Sequence, residues 1–236
     1  MMQHPLLKAA LTGFSAVGYW YSLTPPSYPS SRDKLHVDGI FGFVAHGLSI
    51  ASKTAVVASL LCQIAVIVAL QYPGSVQSSQ VLIRLCHSAE PLPIGFMSPL
   101  FVIGSSLVIS MALVRAWCFH TLGNLFTFQI TIRHDHRLIR TGPYAFVRHP
   151  AYTALILVII GVNIMSLDRK GWIRQCDMMG TQVGWWVEAF LVLCVFSIVS
   201  MVRRGEIEDE RLKKIFNEEW LAYSRDVPWK FIPGIL

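Results

Sequence analysis

The chain has 236 residues, of which 53% are hydrophobic and only 14% charged. Soluble domains carry roughly 25% charge, so this composition excludes an ordinary soluble protein and points to a polytopic membrane protein with room for a handful of helices of about 20 residues. The formal charge of +6 does not come from a polybasic arm, because residues 203–236 hold seven Lys/Arg and seven Asp/Glu that cancel. A nucleic-acid partner is therefore not expected.

Five apolar stretches follow in chain order, at 5–22, 41–72, 97–120, 151–167 and 183–202. The first contains Lys8, and no small-residue cleavage site precedes the Pro25-Pro26 turn. It reads as a retained helix rather than a signal peptide. The second is too long for one perpendicular crossing of a ~30 Å core at about 1.5 Å per residue, and Lys53 interrupts it. Its first part is expected to tilt or to lie along the interface. The connectors 22–40 and 73–96 are rich in Pro, Ser and Gly. From Arg203, the spacing of Ile207, Leu212, Ile215, Phe216 and Trp220 predicts an amphipathic helix that continues out of the last crossing and ends at Val227-Pro228.

The fold class is thus all-α: a transmembrane bundle of about five helices with a cytosolic C-terminal amphipathic helix. A single domain over 1–236 is expected, with N-terminal membrane helices in 1–120 and the functional half in 121–236. The cysteines at 62, 86, 118, 176 and 194 show no CxxC and no zinc-like spacing with His, and three lie within apolar runs. Neither a metal nor a disulfide framework is expected. A cytosolic C terminus puts thirteen Lys/Arg of the loops on the cytosolic side and four on the other, which is the favoured orientation. Arg169, Lys170 and Arg174 then face the opposite side, in the company of Asp168 and Asp177.

Two polar clusters stand at the ends of apolar runs. One is His136 to Tyr152, just before the fourth run, and the other is Arg203 to Leu212, just after the fifth. A hairpin of the last two crossings brings both to one side of the bilayer. Thr141-Gly142-Pro143-Tyr144 predicts a tight turn, and His149-Pro150 a helix start. A helix N-terminus favours an anion. Arg148 and His149 also suit plain anchoring at the headgroup level, and the second cluster also suits a solvated charged helix.

The stretch Gln129 to Tyr152, followed by Arg204, Glu208-Asp209, Leu212, Phe216, Glu219-Trp220, Tyr223, Val227-Pro228 and Ile232-Pro233, resembles the isoprenylcysteine carboxyl methyltransferase family. The resemblance implies methyl transfer from S-adenosylmethionine to the terminal carboxylate of a prenylated cysteine in CaaX-processed proteins. The location it implies in a eukaryotic source is the endoplasmic reticulum. It implies cofactor contacts from Gln129, His136, Arg137, Leu138, Ile139, Tyr144, His149, Pro150, Ala151, Tyr152 and Glu208. Arg204 is implied to orient the substrate carboxylate, so Arg204 and Glu208 are the candidate catalytic pair. Asp209 stands where a second glutamate is common, and Asn217 where glycine is.

The chemistry suits that reading. An activated methyl donor and a carboxylate nucleophile mainly need alignment, so no catalytic Ser, Cys or metal is required. Each buried CH₂ of a prenyl chain contributes about 0.8 kcal/mol, which places such a substrate in the membrane. A phospholipid amine is the nearest alternative acceptor. The Glu219-Trp220, Tyr223 and Val227-Pro228 tail also echoes membrane sterol reductases, and a non-enzymatic scaffold is the third alternative.

Overall fold

A computed structural model describes residues 4–24, 26, 34–35, 39–88, 93–126, 131–132 and 137–235. Each of the five apolar stretches forms a helix. They are α1 (Pro5–Ser22), α2 (Gly39–Gln71), α4 (Pro99–Leu122), α5 (Pro150–Ser166) and α7 (Gln182–Phe216), with short helices α3 (Val76–Leu85), α6 (Trp172–Gln175) and α8 (Glu218–Asp226) between and after them. Residues 47–71 of α2, α4 and α7 each hold a stretch long and apolar enough to cross a membrane, which in α7 ends before Arg203. At 18 and 17 residues, α1 and α5 are about 26 Å long. One two-residue antiparallel pairing, Lys34–Leu35 with Thr131–Ile132, is the described strand structure.

Helices α4 and α5 pack most closely, because glycine faces glycine. A Cβ on Gly104 would lie 2.8 Å from the Gly161 carbonyl oxygen, and one on Gly161 would lie 2.9 Å from that of Gly104. Small residues let membrane helices approach until backbones touch. Around this contact, Tyr19, Leu60, Phe101, Val108, Val158 and Val162 form the central core.

At one end of the bundle, a polar network ties the helix starts to the loops. Lys8 is fully buried and donates to the carbonyl oxygens of Phe96 and Lys170 at 3.0 and 2.8 Å. Ser98 donates to Asp168 Oδ2 at 2.7 Å, and Gln63 bonds both Thr12 and the Trp172 backbone. These bonds are why an apolar helix tolerates Lys8, since a buried charge is costly unless paired and hydrogen-bonded.

Three findings depart from the sequence reading. Lys53 does not interrupt α2: its Nζ sits 4.9 Å over the Trp20 ring and donates to Thr24, so the helix runs on past the end of α1. The C-terminal amphipathic helix is not continuous. It breaks at Asn217, whose φ of +40° is a conformation that glycine adopts freely and asparagine better than most, and α8 starts as a separate helix at Glu218.

The expectation of no disulfide is also corrected, because Cys86 and Cys176 are bonded across 90 residues. Their pairing is long-range: Cys86 follows the end of α3, Cys176 follows the end of α6, and the two ends are joined by His87 N–H to Cys176 O and Trp172 Nε1–H to Leu85 O. Spacing along the chain carries no trace of such a contact. Cys62, Cys118 and Cys194 are free. Replacing Cys86 by Ser is expected to remove about 2–4 kcal/mol of stability, seen as a lower melting temperature in detergent. Equal melting of variant and parent, or the absence of linked peptides on non-reducing mass spectrometry, would refute the bond.

Candidate functional site

The other end of the bundle holds the residues singled out from the sequence. Gly142 opens a 3₁₀ turn, Gly142–Ala145, at a φ of +61°. A side chain there would meet Thr121 Oγ1 at 2.9 Å, so both the backbone conformation and the space require glycine. The turn buries Tyr144 against Cys118, Phe119, Phe126 and Ala151, with Ile139 alongside. His149 then precedes Pro150, the first residue of α5, where a missing N–H costs nothing.

Helix α7 brings the second cluster alongside. Asp209 is buried and faces the Arg-His pair, with Arg148 Nε donating to Oδ2 at 3.2 Å and His149 Nε2 lying 3.0 Å from Oδ1. An ionised carboxylate only accepts, so Nε2 carries the proton, leaving Nδ1 turned toward Glu208 Oε2 at 3.8 Å. Burial alone raises the Asp209 pKa. The bond and charge of His149, joined by those of Arg148, outweigh it and hold the carboxyl below its ordinary 3.8.

The same Arg148 reaches the tail. Its Nη1 donates to the carbonyl oxygens of Val227 and Pro228 at 2.8 and 2.9 Å, and its guanidinium lies 5.8 Å from the Trp220 ring centroid. The backbone N–H groups of Arg148 and His149 donate to Trp229 and Lys230. Phe231 packs on the His149 ring, and a Cβ on Gly205 would collide with it at 2.7 Å. Helix α8 closes the far side of the turn: Tyr223 Oη donates to the Tyr144 carbonyl at 2.8 Å, and Arg140 pairs with Glu219 at 2.8 Å. Burial raises the Tyr144 and Tyr223 pKa values, the latter to about 12, so both hydroxyls stay neutral at pH 7.

Glu208 approaches the other edge of the His149 ring and keeps 34% of its side chain exposed. Its Oε2 accepts from the Tyr152 hydroxyl at 2.9 Å, and that hydroxyl also interacts with the Arg204 side chain. Arg204 is half-buried and Arg203 exposed. Tyr144, His149, Pro150, Ala151, Tyr152, Arg204 and Glu208 are thus gathered at the junction of the turn, α5 and α7. Leu138 and Ile139 lead into it half-buried, whereas Arg137 is exposed. Gln129 and His136 lie outside the described residues.

Two parts of this arrangement were missed. Arg148 and His149 do not simply anchor a helix at the headgroups, because both are turned inward onto Asp209. The C-terminal segment, read as a helix stop and as part of the family resemblance, straps the Arg-His pair. The clue available was Val227-Pro228: a proline step stops the helix and leaves carbonyls free for an outside donor.

Comparison with known proteins bears out the resemblance. Residues 102–171 match the model of the isoprenylcysteine carboxyl methyltransferase family. Protein-S-isoprenylcysteine O-methyltransferase B of Arabidopsis thaliana is 24% identical over 127 residues, 53% of this chain and 55% of that one. The Saccharomyces cerevisiae protein-S-isoprenylcysteine O-methyltransferase is 26% identical over 129 residues, 53% of this chain and 46% of that one. The uncharacterized protein YpbQ of Bacillus subtilis is 24% identical over 113 residues, 47% of this chain and 55% of that one. The matched region spans about half the length of each.

Asp209→Asn should destabilise the fold by about 3–5 kcal/mol, the cost of leaving a buried charge without its partner. The depressed pKa fixes the sign with pH. The stability due to the ionised carboxylate is complete above pH 3.8 and lost as pH falls through the lower folded value. Thermal melts of parent and variant should therefore differ widely at pH 7 and converge in acid; a gap independent of pH would contradict the pairing.

Proposed function

We propose that this chain is a membrane methyltransferase that uses S-adenosylmethionine to methylate the C-terminal carboxylate of a prenylated cysteine, as on CaaX-processed proteins. The observation that carries the reading is the cluster of Arg204, Glu208 and Tyr152 at the point where an apolar helix leaves the bundle. A guanidinium and a partly exposed carboxylate one helical turn apart, where the apolar run of α7 ends, support a carboxylate held at the membrane face with its lipid chain below.

The residues present fit the cofactor. Tyr144, His149 and Tyr152 supply aromatic surface and Glu208 a partly exposed acceptor, a donor set suited to a sulfonium cation and to amino or hydroxyl groups. These residues, with Pro150 and Ala151, are the ones that would hold it; Gln129, His136, Arg137, Leu138 and Ile139 are proposed to join them. When bound, S-adenosylmethionine supplies a methyl group already activated for transfer to a nucleophile.

The work left to the protein is alignment. Asp209 and Phe231 fix the His149 ring, and Glu208 holds the Tyr152 hydroxyl. The planar fork of Arg204 suits a carboxylate, and its position one turn before Glu208 lets it hold that carboxylate at the interface while the prenyl chain stays among the helices. No proton needs to move, because an ionised carboxylate is the nucleophile.

We also propose that the site faces the cytosol, in the endoplasmic reticulum membrane of a eukaryotic source. The basic loops support this orientation. So does the Cys86–Cys176 bond, which lies at the opposite end of the bundle, since disulfides persist in oxidising compartments.

One experiment tests acceptor, clamp and sidedness together. Sealed microsomes containing the protein receive tritiated S-adenosylmethionine and a farnesylcysteine analogue from outside. Base-labile methyl ester should form without detergent. Base-stable label in lipid would favour the phospholipid amine instead, and activity appearing only after permeabilisation would reverse the orientation. Arg204→Lys keeps the charge but loses the two-pronged geometry; it should lower kcat/KM strongly and leave S-adenosylhomocysteine affinity nearly intact, while the exposed Arg203→Lys changes little. Equal effects of the two substitutions would sink the carboxylate clamp.

A further inference from the structure

Arg115 lies within α4 and is only 2% exposed. A buried guanidinium persists only where its donors are used, and what these donors hold is specific. Nε donates to the carbonyl oxygen of Ser22 at 2.5 Å, and Nη1 to that of Ala151 at 2.7 Å. The guanidinium carbon also lies 4.8 Å from the Phe119 ring centroid and 5.5 Å from that of Phe126.

Ser22 is the last residue of α1. Its carbonyl has no donor within its own helix, and a cation is favoured at that end. Ala151 is the second residue of α5, between Pro150 and Tyr152. One side chain from a third helix therefore joins the end of α1 to the first turn of α5. Tyr144 and Tyr152 are among the groups close enough to act on its charge. The opposite flank of that first turn is held by the tail: Thr153 Oγ1 donates to the Phe231 carbonyl at 2.8 Å, and His149 N–H to that of Lys230 at 2.8 Å. The first turn of α5 is thus gripped from the bundle side by Arg115 and from the outer side by the tail.

We infer that Arg115 is a positioning residue: it fixes the Ala151-Tyr152 backbone against α1 and thereby sets where Tyr152 and His149 stand for cofactor binding. This rests on the cofactor role proposed above. It also gives α1, which carries no recognisable motif, a part in forming the site.

The test compares Arg115→Met and Arg115→Lys with Lys8→Met, which removes an equally buried cation from the opposite end of the bundle. All are purified in detergent and followed by melting temperature, hydrogen exchange of residues 147–155 and titration with S-adenosylhomocysteine. Arg115→Met should speed exchange in that segment and weaken the titrated affinity about ten-fold or more. Arg115→Lys, able to reach one carbonyl, should fall between it and the parent, and serves as the readable variant if Arg115→Met does not fold. Lys8→Met should lower the melting temperature while leaving both readouts unchanged.

Unchanged exchange in folded Arg115 variants would overturn the inference. So would faster exchange with unchanged affinity, since Arg115 would then be structural only. An equal loss of affinity in Lys8→Met would overturn it too, by showing that lowered stability alone is responsible. If the parent protein itself does not bind S-adenosylhomocysteine, the cofactor reading fails instead; exchange in 147–155 then still decides whether Arg115 holds the first turn.

Discussion

The arrangement of the site depends on one buried carboxylate. Asp209 sits on α7, and its two partners, Arg148 and His149, sit on the segment that enters α5. A carboxylate removed from water must be paired and hydrogen-bonded, so folding α7 against α5 brings the loop into register. Once Arg148 is drawn in, its remaining donors face the Val227 and Pro228 carbonyls, and the tail closes over the pair. Asp209 and Glu208 are neighbours in sequence yet differ in setting: one is buried and paired within the fold, the other remains partly exposed.

The rest of the bundle makes that pairing rigid. Backbone-close packing of Gly104 and Gly161 fixes α4 against α5, and the aromatic cluster around Tyr144 seats the turn on α4. At the opposite end, Lys8 bonds the Phe96 and Lys170 carbonyls, Asp168 accepts from Ser98, and Gln63 joins Thr12 to the Trp172 backbone, with the Cys86–Cys176 bond closing the loops. Sites built on rigid elements hold their geometry better than sites on loops alone. Here a loop carries part of the site, and helices on both sides constrain it.

Much of this was legible in the sequence because hydropathy and turn chemistry are local signals. The five apolar stretches correspond to five helices, and Gly142-Pro143 and His149-Pro150 mark the turn and the helix start as expected. What was not legible is long-range. Cys86 and Cys176, Arg115 and Ala151, and Arg148 and the Pro228 carbonyl meet only after the chain has folded. Asn217 is an intermediate case: its departure from glycine was visible, but the helix break it marks was read as an unbroken helix. Lys53 misled for a related reason, since its partners Trp20 and Thr24 belong to another helix.

The central claim is that Asp209 and the Arg148-His149 segment act as one unit, and a double-mutant cycle measures this directly. Arg148→Met, Asp209→Asn and the double variant are melted under identical conditions, and the coupling free energy is taken from the cycle. The account predicts strong non-additivity, with the double variant little less stable than the worse single variant and a coupling above about 1 kcal/mol. Losses that simply add would show that the two side chains are neighbours without depending on each other, and the organisation described here would have to rest on something else.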